Sequence, residues 1–311
     1  MSRALDKDLL SQLKLEDPRP AYIDISNLFA NLPQSELLEI EFLGSSHPLV
    51  QAFFVAHRIL KEHLVDSGAF ITDDVTAATS IMLLMDPEHL TAANLRKRAL
   101  SASGNLTKDA INREIRFVDT LLTARLHRHT KSPTLWSHRR WLVSSYLSLE
   151  APRDIRNDIK YVVMVAGGRH PRNYVAWQHA RFLLDSDPSL ATTIAFDAKD
   201  FCLKNHSDTS AWSFLSDCIA RIQDEKSRRV VRSSVLDDVL TMTRSFRWIN
   251  ESVWVFLRTV VARERVTEQD FERFITANNR LSAAMPHSAA ERVILTRARE
   301  WCVKHRLPEV T

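Results

Sequence analysis

Apolar residues recur at every third or fourth position along most of the chain. Ile111, Ile115, Val118, Leu122 and Leu126 form one such stripe, and Ile155, Ile159, Val162 and Ala166 form another. That spacing puts each set on one face of an α-helix. Further helices are predicted near 189–204, 209–222, 229–244, 250–264 and 268–284, with a closing helix over 288–306. Towards the N-terminus, LVQAFFVAHRILKEHLV reads as an apolar-rich helix, whereas EDPRPAYIDISNLFANLPQSE reads as an extended lead-in with short turns. Gly167-Gly168 is expected to end the second stripe in a left-handed C-cap.

The helices repeat. KSPTLWSHRRWLV and HPRNYVAWQHARFLL place proline, tryptophan and basic residues at nearly the same offsets. Aligned on the tryptophan, the chain runs through Ala93, Trp136, Trp177, Trp212 and Trp254, at intervals of 43, 41, 35 and 42 residues. A period near forty holds two helices and two short connections. Asp86-Pro87, Ser132-Pro133 and His170-Pro171 put a proline where a helix start tolerates it, and Asp86 and Ser132 are good N-caps. Arg139 and Arg140 follow Trp136 by three and four residues, over the same helical face. The predicted architecture is all-α: an α–α superhelix, or solenoid, of about five helix-pair repeats with an N-terminal cap. Residues 1–74 are assigned to that cap and the first helices, 75–285 to the repeats, and 286–311 to a C-terminal capping helix and tail.

Composition narrows the picture. Only five glycines occur in 311 residues, which disfavours phosphate-cradling loops, tight hairpins and doubly wound sheets. The net charge is +4, but residues 1–85 carry 6 Lys/Arg against 12 Asp/Glu, and residues 86–141 carry 11 against 5. With no aromatic or loop motif beside it, the basic block reads as a solvated helical face rather than a nucleic-acid site. Cys202, Cys218 and Cys302 make neither a disulfide framework nor a zinc motif. No apolar run reaches the eighteen or so residues of a membrane span, and the N-terminus shows no signal-peptide core, so a cytoplasmic location is expected. Asp73-Asp74 and Asp237-Asp238 lack the third aspartate of a metal-diphosphate motif and are assigned to helix starts and surface.

The two repeat phrases, with the degenerate DPEHLTAANLRKRAL, resemble the protein prenyltransferase alpha-subunit repeat, marked by Pro-x-Asn-Tyr-x-x-Trp-x-x-Arg-Arg. The resemblance spans residues 75–265, and the order of the phrases is similar to one branch of repeat-containing proteins. It implies a crescent that wraps a separate beta subunit, which supplies the catalytic zinc, so that no cofactor is bound by this chain. The implied chemistry is transfer of an isoprenoid, in this reading geranylgeranyl, from its diphosphate to a C-terminal cysteine of a target protein. The implied partners are a prenyltransferase beta subunit, such as that of Rab geranylgeranyltransferase, the isoprenoid diphosphate at the interface, and the protein substrate.

In the family a lysine before the Asn-Tyr reaches the leaving diphosphate. Arg172 holds that position here and keeps the charge, and Tyr174 supplies an aromatic hydroxyl beside it. Trp136, Trp177, Trp212 and Trp254 are assigned to packing, and Asn173 to the repeat motif. Arg139, Arg140 and Arg181 are assigned to stacking and ion pairing between repeats, and His138 and His179 to structural hydrogen bonds. The competing reading is a non-enzymatic helical scaffold for another protein, prompted by the drifted repeats at Ala93, Trp136 and Trp212.

Overall fold

A computed structural model describes residues 48–65, 70–102, 106–150, 152–263, 266–286 and 290–307. The expected extended lead-in lies outside the described residues. The protein is all-α, with no strand among the described residues. It divides into two compact units, one ending at Arg153 and the other beginning at Asp154.

The first unit contains α1 (Pro48–Val65), α2 (Asp73–Met85), α3 (Leu90–Ser101), α4 (Lys108–Leu122) and α5 (Pro133–Leu147). Helix α1 packs on α2, α2 on α3, and α5 on both α3 and α4. Thr72, Thr107 and Ser132 cap α2, α4 and α5 by accepting a backbone N–H of the first turn. Asp73 and Asp74 occupy the first turn of α2, where the helix dipole favours acids. The stripe of α4 is fully interior: Ile111, Ile115, Val118, Leu121 and Leu122 are all buried. Each contributes about 1.5–3 kcal/mol of transfer free energy, which holds α4 against α5.

The second unit begins with α6 over 155–169, a helix widened by a π-turn at Ile159–Val163. It continues with α7 (Tyr174–Ser186), α8 (Ala191–Lys204), α9 (Thr209–Arg221), α10 (Glu225–Phe246), α11 (Glu251–Arg263), α12 (Glu268–Ala283) and α13 (Ala290–His305). The contacts arrange these helices in two rows. Helix α8 meets α10, and α10 meets α12; in the other row α7 meets α9, α9 meets α11, and α11 meets α13. Ion pairs tie the first row together: Arg156 of α6 to Asp197 of α8 at 2.7 and 3.0 Å, Lys199 of α8 to Asp238 of α10 at 2.7 Å, and Asp237 of α10 to Arg273 of α12.

Two local expectations are corrected. Helix α3 starts at Leu90 and α7 at Tyr174, three residues beyond Pro87 and Pro171, because His89 Nδ1 and Asn173 Oδ1 accept the capping N–H instead. Of the three prolines Pro87, Pro133 and Pro171, only Pro133 sits in the first turn of its helix. Gly167 and Gly168 do not form a left-handed cap; they lie inside the last turns of α6, which ends at His170 with φ −136°. Gly167 serves a close approach: a Cβ there would stand 3.2 Å from Trp177 Cζ2 and 3.4 Å from Phe201 Cζ.

Candidate functional site

The helices that bear Trp136, Trp177 and Trp212 open in the same way. The residue four positions before the tryptophan, Ser132, Asn173 or Asp208, caps the helix, and His89 does so four before Ala93. One turn later the indole turns inward, and all four rings are 2% exposed or less. Trp136, Trp212 and Trp254 each donate Nε1–H to the carbonyl six residues earlier, on Thr130, His206 and Trp248, at 2.8, 2.9 and 3.0 Å. A buried indole N–H needs such an acceptor, so the cap and the ring position each other. The rings also bridge repeats: Trp177 packs on Phe214 at 5.2 Å and Trp212 on Phe256 at 4.8 Å, each phenylalanine lying two residues after the next tryptophan.

The caps are stitched from repeat to repeat as well. Ser132 Oγ donates to the Pro87 carbonyl at 2.9 Å, and Ser252 Oγ to the His206 carbonyl at 2.7 Å. Asp208, fully buried, accepts from Ser210 and Ala211 of its own helix and from the Arg172 N–H at 3.1 Å.

The start of α7 departs from this pattern. Arg172 has φ 60°, in the left-handed region that costs a non-glycine residue about 1–2 kcal/mol. The Tyr174 N–H donates to the Arg172 carbonyl at 3.0 Å, and Trp177 Nε1 is buried with no acceptor among the described residues. Arg172 and Tyr174 are both exposed, on either side of buried Asn173. The guanidinium of Arg172 has no ion pair among the described residues, and the Tyr174 hydroxyl accepts from the Gln178 amide one turn on. The strained loop thus presents a free cation and a phenol to solvent.

The other motif arginines are engaged differently. Arg139 is fully buried and forks onto Asp119 of α4 at 2.6 and 3.2 Å. Arg140 is exposed. Arg181 reaches across to α9, pairing with Asp217 at 3.3 Å and donating to Ser213 Oγ at 3.0 Å. Arg181, Ser213 and Asp217 form one wall of a groove of about 470 Å³ between α9 and α11, whose other wall includes Val255, Phe256 and Thr259. No cluster of three or more metal-ligating side chains occurs among the described residues. Cys202, Cys218 and Cys302 are buried free thiols, and burial pushes Cys302 up to about 11.

A buried ionic centre in the first unit escaped the reading of the sequence. Glu114 projects from the apolar face of α4 and accepts a bidentate pair of bonds from Arg96 of α3, both at 2.6 Å. His138 Nε2 of α5 meets Glu114 Oε1 at 2.8 Å, and all three residues are 4% exposed or less. The remaining Arg96 donor is spent on Thr76 O, Thr79 Oγ1 and Ser80 Oγ of α2, at 3.0, 3.0 and 2.7 Å. Burial alone pushes the Glu114 carboxyl up, but the Arg96 charge and the hydrogen bonds from His138 and Arg96 outweigh it and hold the group at about 2. Burial lowers the His138 pKa below its ordinary value, against the opposing pull of Glu114. The signal was a glutamate inside the Ile111–Ile115–Val118 stripe, where a solvated acid has no place.

These features define a class: a helix-pair repeat protein in which the helices of Trp136, Trp177 and Trp212 share one capped start. The protein prenyltransferase alpha subunit repeat matches residues 111–146, the α4–α5 pair. The ECM9 middle domain matches residues 135–241. Protein ECM9 of Saccharomyces cerevisiae is 27% identical over 197 residues, covering 61% of this chain and 52% of the relative. Protein prenyltransferase alpha subunit repeat-containing protein 1 of Homo sapiens is 27% identical over 188 residues, covering 53% and 44%. The protein of the same name in Danio rerio is 30% identical over 128 residues, covering 35% and 28%. The chain thus spans about half the length, or less, of the curated relatives it matches.

Proposed function

We propose that this chain is the alpha-type subunit of a protein prenyltransferase, acting with a separate beta subunit in geranylgeranyl transfer to a C-terminal cysteine. The observation that carries the reading is the start of α7. Arg172 and Tyr174 stand exposed on a strained loop, while Arg139 and Arg181 are consumed in internal ion pairs. A guanidinium so placed forks across the oxygens of a diphosphate and stabilises the charge that develops as the carbon–oxygen bond breaks. Tyr174 offers a hydroxyl one residue past the cap. The beta subunit, in this reading that of the Rab enzyme, brings the zinc that activates the acceptor thiol and the pocket that chooses the isoprenoid.

Co-purification with prenyltransferase beta subunits, followed by lipidation of a cysteine-terminated peptide, tests the proposal. Arg172→Ala is expected to slow transfer about 10- to 100-fold without dissolving the complex. A chain that binds none of the beta subunits refutes the assignment, and unchanged turnover in the variant removes the phosphate role of Arg172. A scaffold role is the second reading, favoured by Ala93, which is 1% exposed where the other repeats bury an indole. Stable binding of a beta subunit with no lipidated product would select it.

A further inference from the structure

At the last interface of the second unit the charge pattern of the repeat breaks. Four residues after Trp177, Arg181 reaches the next helix and finds Asp217. Four residues after Trp254, Arg258 of α11 occupies the same repeat position, and neither Glu291 nor Glu300 of the facing helix α13 pairs with it among the described residues. Its guanidinium lies 4.9 Å over the Trp301 ring, and its Nε is buried with no acceptor among the described residues. Beside it opens a cavity of about 150 Å³ between α11 and α13, and the polar group that α13 turns to this cavity is a second arginine, Arg297. Arg297 is exposed and has no ion pair among the described residues. The one acid on the lining, Glu251 at the start of α11, pairs with neither arginine. The rest of the lining is apolar, with Val255, Val293 and Ile294.

Two guanidinia without counter-ions around one small apolar recess are mutually repulsive, and a half-buried guanidinium without an acceptor loses hydration for nothing in return. We infer that Arg258 and Arg297 form a binding site for a small oxyanion, a carboxylate or phosphate carried on a short apolar group. The paired forks match either head, and Val255, Val293 and Ile294 receive the apolar part. The stack on Trp301 holds the Arg258 fork in place before the ligand arrives, which lowers the entropy lost on binding. The site is separate from Arg172 and independent of the enzymatic reading.

The test uses the full chain, labelled with nitrogen-15, and follows the arginine Nε–H resonances during titration with inorganic phosphate and, separately, with isovalerate. The expected result is a saturable shift of the Arg258 resonance with one of the two anions, weakened about tenfold by R297Q, and of the Arg297 resonance, weakened about tenfold by R258Q, the loss of one charge-assisted contact. Saturation by phosphate alone identifies a phosphate head, and saturation by isovalerate alone a carboxylate. Because Arg297 is exposed, R297Q keeps the test decisive even if R258Q fails to fold. No shift with either anion up to about 10 mM, or a shift of equal affinity in R297Q, overturns the inference.

Discussion

The α3–α4–α5 junction and the α6–α8–α10–α12 row use the same ionic chemistry at opposite extremes of burial. In the junction, Arg96, Glu114 and His138 are closed off from water and every arm of the guanidinium is occupied. In the row, Lys199 and Asp238 meet with the carboxylate side chain 45% exposed. Water screens the second arrangement and is absent from the first, so one pair specifies a geometry while the other merely tolerates one.

The largest expected effect comes from breaking the junction. Glu114→Gln leaves the Arg96 charge buried without its counter-ion and is expected to cost about 3–5 kcal/mol, read from urea unfolding at neutral pH. A loss below about 1 kcal/mol would show that the junction is no more than another surface pair. The wild-type pH profile sharpens the same point. Glu114 is depressed to about 2, so its contribution is complete above the unfolded value of 4.5 and disappears as pH falls through 2. His138 is also lowered, so the unfolded chain takes up that proton first and stability falls further below pH 6.5. The part of the acid unfolding that comes from Glu114, between pH 4.5 and about 2, should therefore flatten in Glu114→Gln, while the part that comes from His138 persists.

A smaller effect separates one repeat start from another. Trp212→Phe removes a buried indole together with its bond to the His206 carbonyl, whereas Trp177→Phe removes an indole whose N–H has no acceptor among the described residues. The first substitution is expected to exceed the second by about 1 kcal/mol in chemical denaturation. Equal losses would mean that the loop through Arg172 rearranges to satisfy Trp177. The smallest effect belongs to the exposed row: Asp238→Asn is expected to cost about 0–1 kcal/mol and to lose its effect in high salt. A larger, salt-insensitive loss would erase the contrast with the junction.

Much of the helix order was legible because a period of three to four residues survives wherever one helical face is buried. The predicted helices at 209–222, 250–264 and 268–284 match α9, α11 and α12 to within a residue or two. Helix starts were read less well. Proline marked them by its lost N–H, but His89 and Asn173 won the caps at α3 and α7, since a side-chain acceptor four residues before the packed ring is what the orphan amides need. Gly167 was legible as an exception to helix composition and illegible as to cause, because its partner Trp177 is brought in by the next helix.

By itself the sequence determined the all-α class, the forty-residue period, and the inward turn of Trp136, Trp177, Trp212 and Trp254, all consequences of local propensity and one-dimensional periodicity. The partners of each charge were decided only by the tertiary structure. Glu114, Arg96 and His138 lie 18 and 24 residues apart along the chain, and Arg258, with no ion pair among the described residues, shares a cavity lining with Arg297 of α13. An ion pair depends on distance and burial in space, and neither is written in the spacing of residues along one helix.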